Sequence, residues 1–126
     1  MDQDLLVNNR ISAGEQVARA LDAGEYQLAA AFWNYFSDLS GWRLVIVPRG
    51  FGGGAVKDEL LRIRRTLKEQ RVDFDLSDVK VSSAENPLVR ALSVLVRAEG
   101  IIGMRAKQNW INGVYIEDAY IYRMAI

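Results

Sequence analysis

Chemistry is most strongly suggested at a strand–loop–helix junction. Within Pro48-Arg49-Gly50-Phe51-Gly52-Gly53-Gly54, the spacing Gly50-x-Gly52-x-x-Ala55 satisfies a relaxed dinucleotide fingerprint. Glycines in such a loop let backbone N–H groups approach a phosphate, and the helix that follows turns its positive pole toward it. Arg49 and Lys57 flank the loop, so an anion is the ligand it would take. Against that reading, Pro48 and Arg49 separate the strand from the first glycine, where the fingerprint needs a tight turn. The acids that follow at roughly 20 residues' distance, Asp73 and Asp75, are common at any such spacing. No Ser or Thr follows Lys57, so this is no Walker A loop. A plain connector explains the same glycines.

The segment after the loop is basic. From Lys57 to Arg71 the cations are Lys57, Arg62, Arg64, Arg65, Lys68 and Arg71, and the acids are Asp58, Glu59 and Glu69, six against three and a net of +3. Arg62, Arg65 and Lys68 fall together at helical spacing, while Arg64 and Arg71 lie on a neighbouring strip. Such a face can contact nucleic-acid phosphates, with an affinity that falls steeply with salt. It can equally be a solvated helix face, or complement residues 1–41, which carry six acidic and two basic side chains.

Carboxylates gather at Asp73, Asp75 and Asp78 beside Lys80, with Glu117 and Asp118 further on. Asp78-Val79-Lys80 has the D-x-K form used where carboxylates hold magnesium and a lysine steadies developing charge, which would make a metal-dependent phosphodiesterase of Asp75, Asp78 and Lys80. The preceding strands that such a site requires are missing, and alternating acids on a strand are usually its wet face. Ser77-x-x-Lys80 lacks the helical setting and partner motifs of serine–lysine enzymes.

Aromatic side chains form the last group. Phe32-Trp33-Asn34-Tyr35-Phe36 would put rings on nearly every side of a helix, and Trp110, Tyr115, Tyr120 and Tyr122 decorate both faces of a C-terminal hairpin. Rings that a core cannot hold mark protein interfaces, where Trp and Tyr carry much of the binding energy. Trp33, Tyr35, Trp110, Tyr115, Tyr120 and Tyr122 are therefore the expected interface residues. A last strand lying at a sheet edge would also offer its backbone to another chain.

Composition narrows the choice. The 126 residues contain no cysteine and no histidine, which removes disulfides, thiol catalysis, Cys/His zinc sites and any His-based triad. Half are apolar and a quarter charged, as in an ordinary globular domain, and sixteen basic residues balance sixteen acidic ones. No cofactor is implied. Met1-Asp2-Gln3-Asp4 followed by Leu5-Leu6-Val7 lacks the form of a secretory leader. The longest purely apolar run, residues 28–33, is far short of the roughly 18 needed to cross a bilayer. A cytoplasmic location without membrane contact is expected. Twelve arginines against four lysines point to a GC-rich, prokaryotic coding sequence.

The elements that must position these groups follow from periodicity. Ser12-x-x-Glu15 has the form of a capping box and predicts a helix over 13–21. Asp22-x-x-Glu25 repeats it and predicts a second helix over 23–37, with Leu28, Ala29, Phe32, Trp33, Phe36 and Leu39 as its buried stripe and Gly41 as its stop. The pair has the local form of a tetratricopeptide unit, but no second copy follows. A strand over 42–47 precedes the glycine loop. The helix over 55–71 buries Val56, Leu60, Ile63 and Leu67, supported by the i,i+4 pairs Asp58–Arg62 and Arg65–Glu69. Residues 72–76 alternate, as a short strand or an extended connection, and 78–82 form a strand. Asn86-Pro87 starts a helix that stops at Gly100.

Asn112-Gly113 predicts a type I′ hairpin pairing Ile111 with Val114, Trp110 with Tyr115, Gln108 with Glu117 and Lys107 with Asp118, with a bulge near Glu117-Asp118. The resulting order, αα-β-α-β-α-ββ, implies an α/β fold bordering α+β. Its mixed sheet would have parallel strands where helices join them and an antiparallel C-terminal hairpin. All 126 residues belong to one domain, with 1–11 a loose arm and 48–54 the glycine-rich loop. The function expected is a non-catalytic interaction module, an accessory subunit or homo-oligomer. The alternative is phosphate-ligand or nucleic-acid binding through Arg49, Gly50, Gly52, Gly53, Gly54, Lys57, Arg62, Arg65 and Lys68.

Overall fold

In the computed structural model, which describes residues 8–52 and 54–126, three helices flank a five-stranded mixed sheet. The order is α1 (Asn8–Ala23), β1 (Leu28–Phe36), β2 (Gly41–Pro48), α2 (Val56–Glu69), β3 (Val79–Val81), α3 (Pro87–Leu95), β4 (Met104–Ile111) and β5 (Val114–Met124). The sheet runs β3-β2-β1-β5-β4. Of the expected N-terminal arm, residues 8–11 belong to α1, and 1–7 lie outside the described residues.

The α/β class, the strand–loop–helix at 41–69, the start of α3 and the hairpin are as expected. The second helix is not. Residues 28–36 form β1, paired antiparallel with both β2 and β5. The helical stripe read there is also an unbroken apolar run, and an interior strand buried on both faces needs just that. Leu28, Ala30, Ala31, Phe32 and Trp33 are all buried. Gly41 therefore opens β2 instead of ending a helix, and residues 37–40 turn between the strands, with Ser40 at φ 48°.

The sheet buries two faces. Ala31, Trp33, Trp42, Leu44, Ile46 and Tyr122 meet Val17 and Leu21 of α1 and Ile63 and Leu67 of α2 on one side. Phe32, Val45, Val47, Ile116, Ile121 and Met124 meet Val89 and Leu92 of α3 on the other. Each such Val, Leu, Ile or Phe side chain contributes about 1.5–3 kcal/mol relative to exposure. Asn86 caps α3 by accepting from the Leu88 N–H at 2.9 Å, with Pro87 at the first helical position. The helix ends at Leu95, before the expected stop at Gly100, because Val96 is already extended.

Helix-joined strands are parallel in one case of two. β2 and β3 pair in parallel across α2. β3 and β4, joined through α3, lie at opposite edges, and successive pairings make them run in opposite directions. The last strand, β5, is interior, and β4 is the edge. The predicted hairpin register holds at Ile111–Val114, Trp110–Tyr115 and Lys107–Asp118.

The bulge expected near Glu117-Asp118 takes another form. The offset between the strands is the same on both sides, but the expected Gln108–Glu117 pair does not form, Gln108 sits at φ 47°, and both strands change face around it. Ile111 and Ala106, five apart, and Ile116 and Ala119, three apart, all join the core beside α3. A register shift does occur on the other side of β5, where Ala31 pairs with Arg123 and Phe32 with Ile121, leaving Tyr122 as the extra residue. No helix among the described residues is long and apolar enough to cross a membrane.

Candidate functional site

Of the six aromatic residues expected at an interface, two are core. Trp33 and Tyr122 are 1% and 0% exposed. The Trp33 indole N–H donates to the Arg10 carbonyl at 3.1 Å, and the Tyr122 hydroxyl donates to the Ile11 carbonyl. Each ring thus buries its body while its polar tip finds a backbone partner on α1. Gly14 makes room, since a Cβ there would fall on Trp33 Nε1 and the Tyr122 hydroxyl. The expectation of a surface role for Trp33 and Tyr122 is corrected accordingly. Tyr35 and Tyr120 are half-buried, Tyr35 edge-on to Trp42 at 5.6 Å and Tyr120 edge-on to Tyr122 at 5.4 Å.

Trp110 and Tyr115 remain, 70% and 45% exposed, with ring centroids 5.0 Å apart. The turn puts them there. Asn112 at φ 49° and Gly113 at φ 80° form the two-residue reversal that sets Trp110 opposite Tyr115. Ile111 and Ile116 point into the core beside α3, so their neighbours Trp110 and Tyr115 point to the other face. Tyr122, near the far end of β5, holds α1, and at the turn end this face of the hairpin is left uncovered.

Deeper in the hairpin, Arg105 donates twice to Asp118, at 2.9 and 2.7 Å. Asp118, whose register partner is Lys107, thus takes the diagonal arginine as its ion partner, and this bond holds the Arg105 guanidinium above its ordinary pKa. The outer side of β4 makes no backbone hydrogen bond among the described residues.

The glycine loop presents a different picture. Gly50 takes φ 73°, Gly52 and Gly54 are open to solvent, and Gly53 lies outside the described residues. Ala55 caps α2 with no side-chain bond, and the first turn carries Asp58 and Glu59. Those carboxylates complement the helix's positive pole, where a phosphate would have to sit. Glu59 also accepts from the Tyr26 hydroxyl at 2.9 Å and pairs with Arg62 at 3.4 Å. Burial, and then the bond to Glu59, push the Tyr26 phenol well above its usual pKa. Arg62 thus pairs with Glu59 and not with the expected Asp58, while Arg49 reaches Glu99 at 3.6 Å. Lys57, Arg65 and Lys68 are exposed and in no ion pair among the described residues.

The expected carboxylate group does not assemble. Asp73, Asp75, Asp78 and Lys80 stand at the β3 edge, and Glu117 and Asp118 on β5, with β2 and β1 between. Asp75 accepts from the Ser77 N–H at 3.0 Å, which holds its carboxyl below the usual range. Lys80 lies over the Phe36 ring at 5.8 Å. No group of three or more acids among the described residues is placed to hold a metal ion.

Sequence reasoning missed one feature. Arg64, Lys68 and Arg71 overhang residues 72–77, whose alternation directs Val72, Phe74 and Leu76 toward the core. The i, i+4, i+7 spacing of those cations was the available signal. No protein-family model, curated protein or solved structure matches the chain.

Proposed function

We propose that the protein is a non-catalytic interaction module that binds a protein partner through the turn end of the β4–β5 hairpin. One observation carries the reading: Trp110, on the edge strand β4, packs at a tilt against Tyr115 across the turn while both remain exposed. Large rings held rigid by a tight turn lose little conformational entropy on binding, and an open edge accepts backbone hydrogen bonds from an added strand. Arg105, tied to Asp118, steadies β4 beneath them. The partner is a second copy or a larger subunit of a cytoplasmic, prokaryotic assembly.

The test is affinity purification from native cells at moderate salt, comparing wild type with Trp110→Ala/Tyr115→Ala. The wild type should bring down a stoichiometric companion or itself as an oligomer. The double variant should lose it with its circular dichroism and melting temperature unchanged. Assembly that survives in the variant sinks the proposal. So does a wild-type monomer with no companion and a raised 260/280 nm absorbance ratio, which would favour nucleic acid on α2.

A further inference from the structure

A cavity of about 600 Å³ opens between the C-terminal half of α2 and residues 72–77, within the size range of small-molecule sites. Its apolar floor includes Leu67, Val72 and Phe74, and the Phe74 ring is backed by the buried Trp33 ring at 6.1 Å. Along one rim stand Arg64, Lys68 and Arg71, none in an ion pair among the described residues. The opposite wall carries Asp73 and Asp75, and Asp75 is engaged with the Ser77 N–H. Charge is therefore segregated across an apolar base, with the unpaired cations all on the helix side.

Arg71 adds an independent observation. The Val72 N–H donates to the Leu67 carbonyl at 2.9 Å and the Arg71 N–H to that of Lys68 at 3.1 Å. These two bonds make a Schellman ending in which residue 71 takes the left-handed conformation, at φ 60°. Glycine suits that position best, because any side chain there is strained. Lys68 already complements the negative end of the helix dipole, so helix termination does not call for an arginine at 71. The arginine brings a third cation to the cavity rim, where glycine would bring none.

We propose that this cleft binds a small amphipathic anion, a carboxylate or sulfonate with an aromatic or alkyl body. The head group is held by Arg64, Lys68 and Arg71, and the body lies on Leu67, Val72 and Phe74. The apolar floor distinguishes such a ligand from inorganic phosphate or a nucleic-acid backbone, which would leave it bare.

The probe is 8-anilinonaphthalene-1-sulfonate, titrated against the native 126-residue chain with near-UV circular dichroism monitored throughout. Saturable binding at one site is expected, displaced by decanoate but not by decanol or inorganic phosphate. Arg71→Gly should weaken it about tenfold or more, the scale of one lost charge-assisted hydrogen bond, without lowering the melting temperature. Lys68→Gln should weaken it similarly, and Trp110→Ala should leave it unchanged. The proposal is overturned by absent saturation, by equal displacement with decanol, by unaltered affinity in Arg71→Gly and Lys68→Gln, or by loss of binding in Trp110→Ala.

Discussion

Gly14 sits in the middle of a helix, where alanine is ordinarily better by about 1 kcal/mol. Here the neighbours reverse that preference. A methyl group would overlap the Trp33 indole nitrogen and the Tyr122 hydroxyl, both buried and both bonded to α1 carbonyls. Neither ring can yield without breaking its hydrogen bond, and overpacking of this kind costs about 1–3 kcal/mol in addition. Gly14→Ala is therefore expected to lower stability by about 2 kcal/mol net, read from urea unfolding midpoints; a stabilised variant would show that α1 can lift off the sheet. The sequence marks Trp33 and Tyr122 as surplus rings and places them at an interface, not in the core where they lie. It could not identify their home, because the Arg10 and Ile11 carbonyls come within reach only once α1 lies across the sheet.

Legibility varied sharply between elements. The hairpin is readable to the residue pair, except at Gln108–Glu117, because Asn112-Gly113 fixes its own geometry without outside help. β1 is not, because Leu-Ala-Ala-Ala-Phe-Trp suits a buried helix as well as a central strand, and only its neighbours β2 and β5 decide between them. The face change around Gln108 shows in the sequence only as a loss of strict apolar–polar alternation beyond Glu117. Since the turn carries its own register, its backbone is the sensitive point. Gly113 is at φ 80°, and Gly113→Ala is expected to cost about 1–2 kcal/mol in thermal or urea unfolding. Asn112→Gly, at φ 49°, should be tolerated within a few tenths. Equal losses in the two variants would mean that side-chain pairing, and not the turn, sets the hairpin.

Across the whole molecule, two phenols tie layers together. Tyr26 reaches α2 through Glu59, and Tyr122 joins β5 to α1. Burial raises both above the ordinary value of 10.0, with Glu59 adding to the shift at Tyr26. A folded-state pKa raised above the unfolded one contributes stability that is complete below about pH 10 and is lost as pH climbs toward the elevated value. Alkaline unfolding should begin above pH 10. Part of the phenolate absorbance at 295 nm should rise only with the loss of far-UV circular dichroism. Ionisation of all five tyrosines in a chain that keeps its native dichroism would contradict this. Composition and periodicity revealed the α/β class, but the strand order had to come from the fold, since β3 and β4 end at opposite margins despite being neighbours in the chain.

Those margins are unequal. β3 offers three residues and β4 eight, so the sheet has one broad flank and one vestigial flank. A strand added to β4 would use the only substantial docking line the sheet possesses. Two copies meeting there about a twofold axis would each consume the other's, leaving just the short β3 flanks outward. Growth by edge addition would thus terminate at a closed pair, and under the proposed partner-binding reading the same asymmetry would disfavour polymerisation into a fibre.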